Sequence, residues 1–376
     1  MALTPADIAL LQRSVDLGRC AIGLSDPNPR VGCVLHDAEG RLVGEGFTQQ
    51  AGGPHAEVMA LRAAAAAGHD LRGGTAWVSL EPCAHHGRTP PCCDALIAAG
   101  LARVVVATTD PFPLVSGQGI ARLRAAGIQV DVADGAVAQT ARELNIGFFS
   151  RVLRGRPWVR MKAAASLDGR TALPSGTSQW ITGPEARADG HRWRRRAGAV
   201  LTGIGTVRAD DPRLDVRLVD TAKQPLRVVL DSGFATPPAA RLLAPPGEVL
   251  VVGATDTPSQ RIAALHAAGA QTLVLPDGHG QVDLQALMPL LADRGVNELH
   301  VEAGARLNGA LLQAGLVDEL LIYLAPKLLG PGRDIAALLP LSALSQAITL
   351  RFVAIDRIGD DLAVLGRLVD RDAFLT

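Results

Sequence analysis

From residue 5 to about residue 150, runs of apolar residues at helical spacing take turns with runs that alternate as in a strand. A helix over 5–23 precedes the strand-like runs VGCVLHD and RLVGEGF. The alanine-rich helix of PHAEVMALRAAAAAG, a strand in TAWVSLEP, a helix from Pro91 to Gly100 and a strand in ARVVVATTD come next. The helix of GIARLRAAG and the short strand IQVDVA complete the series. This order predicts an α/β fold on a mixed or mostly parallel sheet whose strand ends face the loops.

The periodicity lapses in SRVLRGRP at 150–157, a basic stretch ending in Gly and Pro that reads as a linker, and then restarts. WVRMKAAAS, AVLTGI, LRVVLDS, EVLVVGA, QTLVLP, NELHVEAG and ELLIYLAP read as strands. The helices PEARADGHRWRRRAG, PSQRIAALHAAG, DLQALMPLLADRG and ARLNGALLQAGLV lie among them. ITLRFVAIDRIG and DLAVLGRLV predict a closing antiparallel hairpin on an otherwise parallel sheet. The expected organisation is therefore two α/β domains, 1–150 and 157–376.

Composition narrows the class. Apolar residues make up 48% of the 376, enough for two cores, but aromatics only 3%, so Ala, Val, Leu and Ile must build them. Lys+Arg and Asp+Glu both total 37, which argues against a nucleic-acid or membrane coat. No apolar run approaches the ~20 residues of a membrane span, and the acid-containing N-terminus reads as an amphipathic helix and not a signal peptide. Five cysteines, two of them adjacent, fit a reducing cytoplasm better than a disulfide framework. Cys20 and Cys33 are expected to be buried thiols.

The remaining cysteines suggest chemistry. His55 and Glu57 begin the alanine-rich helix, Cys83 follows the strand TAWVSL, and Cys92 begins a helix behind Pro91, a residue suited to a first turn. A catalytic zinc takes three imidazole or thiolate ligands and keeps one position open. His55, Cys83 and Cys92 make such a set, with Cys93 a competing thiolate. Helix N-termini favour the thiolate form. Zinc lowers the pKa of bound water from about 15.7 to about 7. One step past His55, Glu57 would then shuttle the water proton to a leaving amine, as in zinc deaminases with an H-x-E and P-C-x-x-C signature. A structural zinc site would want a fourth protein ligand, which His85 or His86 would supply.

PHAE and EPC resemble the cytidine-deaminase-like superfamily, with one departure: the second cysteine follows Cys83 by nine residues. NPRVG at 28–32, PHAEVMAL and EPCAHHGRTPPCCDALIAAG resemble the deaminase half of the bifunctional riboflavin-biosynthesis deaminase/reductases, whose longer insertion accounts for that spacing. The resemblance favours Cys92 over Cys93 and implies substrate contacts at Asn28, His86 and Arg88. Read alone, Asn28 serves the geometry of a turn, and His86 and Arg88 are loop charge.

The second half lacks a G-x-G-x-x-G fingerprint. Yet MKAAASLDGRTA, SQWITG, TGIGTVRADDPRL and VEAGARLNGALLQAGLVDEL resemble the reductase half of the same family, in the same order, so the likeness covers nearly the whole chain. It implies a dihydrofolate-reductase-like fold and NADPH. Cofactor contacts are implied at Ala164, Trp180, Thr206, Asp210, Ser232 and the run Gly304, Ala305, Arg306, Leu307, Asn308, Gly309 and Ala310. Gly304 to Arg306 also open a helix after a strand, where backbone N–H groups can cradle a pyrophosphate. Thr206 and Asp210 are placed in a Gly-rich turn. Substrate contacts are implied at Ser178, Arg194, Leu214 and Arg217, the two arginines suiting a phosphate monoester. Lys162 is a candidate to polarise or protonate the sugar, with Glu302 across the site. Most of HRWRRR otherwise reads as a solvated helix face.

The expected activity is zinc-dependent deamination of a phosphorylated pyrimidine followed by NADPH-dependent reduction of its ribose, in a cytoplasmic homo-oligomer. The alternatives are a nucleobase deaminase with an appended domain and a metal-stabilised binding protein. The first wants a basic groove and aromatic platforms, against which zero net charge and a single Tyr speak.

Overall fold

The computed structural model describes residues 3–85, 90–112, 116–255 and 259–375. The chain divides into two compact units between Arg154 and Gly155.

The first unit runs α1 (Pro5–Arg19), β1 (Gly32–His36), β2 (Leu42–Phe47), α2 (Ala56–Ala66), β3 (Thr75–Val78), α3 (Cys92–Ala98) and β4 (Arg103–Val106). α4 (Gln118–Ala125), β5 (Gln129–Val132), α5 (Gly135–Leu144) and α6 (Ile146–Arg154) complete it. Its sheet has the order β2-β1-β3-β4-β5. β1 is antiparallel to β2 and β3, while β3, β4 and β5 are parallel, so the sheet is mixed as expected. Leu11, Val15, Val34, Trp77, Val105 and Leu144 knit α1 and α5 to one face. On the other, α2 lies hard against β2: a Cβ on Gly46 would sit 2.5 Å from the Ala60 nitrogen and 2.6 Å from the Ala56 oxygen. Small residues on both elements bring the backbones together and fix the start of α2, where His55 and Glu57 stand.

Two expectations fail here. The supposed linker is largely helix, because α6 continues to Arg154 and buries Ile146, Phe148 and Phe149, an apolar stripe that the basic residues mask in sequence. Cys20 is exposed at the C-cap of α1, whereas Cys33 is buried on β1.

The second unit runs β6 (Trp158–Ser166), β7 (Arg170–Ala172), α7 (Pro184–Arg196), β8 (Ala199–Gly203), α8 (Ile204–Asp210), β9 (Leu226–Leu230), β10 (Val249–Gly253) and α9 (Ser259–Ala267). β11 (Gln271–Val274), α10 (Leu284–Asp293), β12 (Glu298–Val301), α11 (Ala305–Gln313), β13 (Glu319–Ala325), β14 (Arg333–Asp334), β15 (Leu350–Ile358) and β16 (Asp361–Leu368) follow. The main sheet has nine strands in the order β11-β10-β9-β8-β12-β6-β13-β16-β15. It is parallel from β11 to β13 and antiparallel through the predicted closing hairpin. Its core is aliphatic: Val159, Met161, Leu201, Val228, Leu250, Leu299 and Val301 pack under Leu287, Leu291 and Leu311.

The arginine run on α7 is not a solvated face. His191 is buried, and within 192–196 only Arg192 is exposed. Carboxylates of β12 and the residue after it take the charge, Glu298 from Arg196 at 2.8 Å and Glu302 from Arg194.

Candidate functional sites

In the first unit three elements converge. His55 is the N-cap of α2, Cys83 lies in the segment after β3, and Cys92 is the first residue of α3 with Pro91 at its N-cap, one place earlier than expected. His55 Nδ1 is 3.3 Å from Cys92 Sγ and 3.7 Å from Cys83 Sγ, and the three atoms lie within 4.8 Å of one another. The Cys92 amide donates to Cys83 Sγ at 3.3 Å. One imidazole and two thiols at this spacing suit zinc in ligand type and number. Contact with Cys92 is the main cause that draws the Cys83 thiol down to about 4; burial opposes it and His55 assists. The Cys92 thiol moves the opposite way, so the pair shares one proton.

Two of the competing ligands, Cys93 and His85, stand elsewhere. The Cys93 thiol donates to the carbonyls of Pro82 at 3.2 Å and Gly119 at 3.5 Å. Among the described residues His85 is outside the ligand cluster, its ring 6.1 Å from that of Phe112. His86 and Arg88 lie outside the described residues. Among the described residues the cluster offers three ligand atoms, the number a catalytic zinc takes from the protein.

Glu57 is 3% exposed and outside the ligand set, yet close enough to interact with His55, Cys83 and Cys92. Burial raises its carboxyl, with the His55 charge opposing. Burial thus favours the protonated form, which a carboxyl acting as a general acid/base must be able to take up. Asn28 is half-buried, and its backbone makes the turn, the amide donating to the Ser25 carbonyl at 2.9 Å. Sequence reasoning assigned nothing to Asp110, buried near Glu81 and pushed up to about 7, chiefly by burial.

In the second unit a cavity of about 1940 Å³ opens where β8, β9 and β12 end, beside residues 162–164 of β6. Open parallel sheets bind ligands at the carboxyl ends of their strands. Lys162, Ala164, Ser178, Trp180, Arg194, Thr206, Asp210, Leu214, Arg217, Ser232 and Glu302 all line it, as do residues 304–308 and Ala310. Gly309 does not: a Cβ there would lie 2.1 Å from the Ala337 carbonyl oxygen, so it packs α11 against that segment. Asn308 lines the wall, but its amide is spent on the carbonyls of Ala303 at 3.2 Å and Ile335 at 2.8 Å. Thr206 and Asp210 belong to the helix α8 and not to a turn. Trp180 is 62% exposed, with the Arg187 guanidinium 4.5 Å from its ring centroid, so it is a rim residue and not core.

Gly304 is the N-cap of α11, and a Cβ there would meet only the Thr206 hydroxyl, at 3.9 Å. An open glycine at the start of a nine-residue helix leaves backbone N–H groups free to face a pyrophosphate, so the residues present fit a dinucleotide.

Lys162 lies over the Tyr323 ring, 5.8 Å from its centroid. Burial lowers its ammonium, with the charge of Glu302 opposing. Glu302 is gripped by Arg194 through two bonds of 2.5 and 2.9 Å, and the third arm of Arg194 donates to the Asp215 carbonyl at 2.9 Å. Burial works against the ionised Glu302, but Arg194 outweighs it and holds the carboxyl well below its usual range. Arg194 is thus engaged with Glu302, while Arg217 is more exposed and pairs with Asp215 at 2.7 Å. Sequence reasoning missed Asp215, His191 and His300. The last is fully buried, 3.5 Å from Glu302, and two places before it on one strand face.

Residues 5–108 match the cytidine and deoxycytidylate deaminase zinc-binding region, and residues 157–364 match the RibD C-terminal domain. The chain is 45% identical to the riboflavin biosynthesis protein RibD of Escherichia coli over 94% of its length and 97% of the relative's. It is 40% identical to that of Aquifex aeolicus, covering 94% and 96%. A solved RibD structure from Acinetobacter baumannii superposes with TM-score 0.86 at 39% identity over 97% of this chain and 99% of that one. A Thermotoga maritima deaminase/reductase does so with 0.85 at 32%, covering 96% and 98%.

Proposed function

Because this chain belongs to the RibD family, and is a bifunctional deaminase and reductase of riboflavin biosynthesis, we propose how its residues divide the two reactions. Deamination falls to the unit ending at Arg154 and reduction to the unit beginning at Gly155. The first substrate is the diaminohydroxyphosphoribosylaminopyrimidine for which the Thermotoga maritima relative is named.

His55, Cys83 and Cys92 hold the zinc, which when bound supplies Lewis-acid activation of water at neutral pH. Glu57 accepts the water proton and delivers it to the departing amine. In the second unit NADPH is the reductant when bound. Gly304 to Arg306 present backbone N–H groups to its pyrophosphate, and Thr206, Asp210 and Ser232 line the same wall. Lys162 donates a proton to the ribose as the ring opens, and Glu302, fixed by Arg194, orients it. Arg217 is the better placed of the two arginines for the phosphate, since Arg194 is already bound to Glu302. His86 and Arg88 remain substrate contacts on the strength of the family motif.

The observation that carries the reading is the cluster of His55, Cys83 and Cys92 with Glu57 buried beside it and outside it. The test is an amine-release assay with a coupled NADPH-oxidation assay, alongside metal analysis. Chelation should abolish amine release and spare reduction of the deaminated intermediate. Loss of both together would overturn the assignment to separate sites.

We assign the chain to a homo-oligomer: Leu339, Leu344, Phe352 and Ile355 are all more than half exposed, and β15 is a sheet edge. Sedimentation at micromolar concentration tests this. A cytoplasmic location suits Cys83 and Cys92, which must stay reduced to bind metal. No helix among the described residues is long and apolar enough to cross a membrane. The balanced charge supports a small-molecule substrate over a nucleic acid or membrane surface.

A further inference from the structure

Glu81 is a buried carboxylate two residues before the ligand Cys83, 3% exposed and outside the metal cluster. Among the described residues it pairs with no cation, and four backbone amides satisfy it. Oε2 accepts from Gly117 at 3.0 Å and Asp110 at 3.3 Å, and Oε1 accepts from Gly119 at 3.0 Å and Ile120 at 3.2 Å. Three of these donors belong to the N-cap and first turn of α4, whose amides have no partner within the helix. The fourth belongs to the loop after β4, and the Glu81 amide donates to the Thr108 carbonyl of that loop at 3.0 Å. One side chain therefore ties the segment leaving β3 to two others some 29 to 39 residues away.

Residues 81–84 have no regular secondary structure, so nothing periodic holds Cys83 in place. Contacts around the neighbouring backbone are tight. A Cβ on Gly119 would lie 2.0 Å from the Pro82 carbonyl oxygen, which also accepts from the Cys93 thiol. The Cys83 carbonyl accepts from the Cys93 amide at 3.2 Å. Cys83 is thus gripped by α3 on one side and, through Glu81 and Pro82, by α4 on the other.

We propose that Glu81 is a positioning residue for the metal, setting the location of the Cys83 thiolate through its four-amide clamp on the start of α4. The proposal rests on His55, Cys83 and Cys92 being the zinc ligands. In Glu81→Gln the side-chain NH2 would face amides that also donate, so half the clamp becomes repulsive while shape is kept. Partners that orient metal ligands typically change affinity by about 10–100-fold when removed.

The test uses the full chain loaded with Co²⁺ in place of zinc, read by the thiolate-to-metal charge-transfer band and by competition with a chelator. Glu81→Gln should weaken Co²⁺ binding by about 10–100-fold and shift the band. Glu81→Asp, which keeps the charge but is too short to span both pairs of amides, should fall between. Gly119→Ala leaves the carboxylate intact and displaces Pro82, so it should shift the band in the same way. It decides the matter should Glu81→Gln fail to fold, as judged by circular dichroism of the metal-free protein. Wild-type affinity and an unchanged band in a folded Glu81→Gln, or in Gly119→Ala, would overturn the role. Failure of the zinc-site reading is separate: wild type itself would then show no thiolate band.

Discussion

The two units gather their chemistry in opposite ways. In the first, three ligand atoms from two helix starts and one strand exit lie within 4.8 Å of one another, and Glu57 interacts with all three residues. In the second, the wall of a large cavity draws on residues from Lys162 to Ala337, many of them Gly, Ala, Ser or Thr. A metal demands particular side chains at fixed distances, whereas a dinucleotide can be held by helix starts and glycines that almost any strand-to-helix turn offers. Single substitutions should therefore act nearly all-or-none in the first unit and by degrees in the second.

The sharpest test of that contrast removes a ligand. Cys83→Ala should abolish zinc binding and amine release, with reduction of the deaminated intermediate retained, as measured by metal analysis and NADPH oxidation on one preparation. Residual amine release above a few per cent would mean that the ligand set is not as small as it looks.

Glu57→Gln separates ligand from catalyst inside the same site. Glu57 is outside the cluster, so zinc content should be unchanged while the deamination kcat falls by about 10²–10⁴-fold, the usual range for a positioned acid/base. Unchanged turnover with zinc retained would end the proton-shuttle role.

How much was legible beforehand follows from the same contrast. His-Ala-Glu, Glu-Pro-Cys and Pro-Pro-Cys-Cys could be read because metal chemistry restricts residue type. Which of Cys92 and Cys93 ligates could not be read from the residues alone. It depends on helix phase, which turns Cys93 toward the carbonyls of Pro82 and Gly119. The succession of helices and strands was partly legible, and the antiparallel closing hairpin followed from the spacing of its two strand-like runs. The α6 helix was not, because three arginines and a glycine obscured the Ile146, Phe148 and Phe149 stripe. The arginines of α7 misled for a similar reason: their carboxylate partners stand more than a hundred residues away, on and just after β12. Glu81 and His300 each stood two places from a residue already singled out, and only tertiary contacts show what they touch.

Lys162→Met examines the distributed site. Glu302 keeps its bidentate partner Arg194, so the fold should survive. Reduction should drop by about 10²-fold, at the lower end for lost general acid/base assistance, while deamination stays unchanged. Arg194→Met is the harsher change to the structure, since it strips a buried carboxylate of its main partner, a loss of about 3–5 kcal/mol in comparable pairs. If Lys162→Met disturbed unfolding more than Arg194→Met, the ordering of these two contacts would be wrong.

The smallest expected effect concerns His191, whose Nδ1 accepts the Arg217 amide at 3.2 Å and must therefore be unprotonated. Burial, reinforced by the charges of Arg194 and Arg217 and opposed by Glu302 and Asp215, draws it down to about 4. Unfolded, it titrates near 6.5. Between those values the unfolded chain binds a proton that the folded chain refuses, so stability rises with pH and is lost as pH falls from about 6.5 toward about 4. The slope for one such group is at most about 1.4 kcal/mol per pH unit. His191→Gln keeps an acceptor for the Arg217 amide but cannot titrate. Denaturant unfolding of the two proteins at pH 7 and pH 5 should show the variant losing less stability on acidification. Equal losses would mean that His191 is as readily charged in the folded cavity as in the unfolded chain, and that the arginines around it are screened by solvent and not focused by burial.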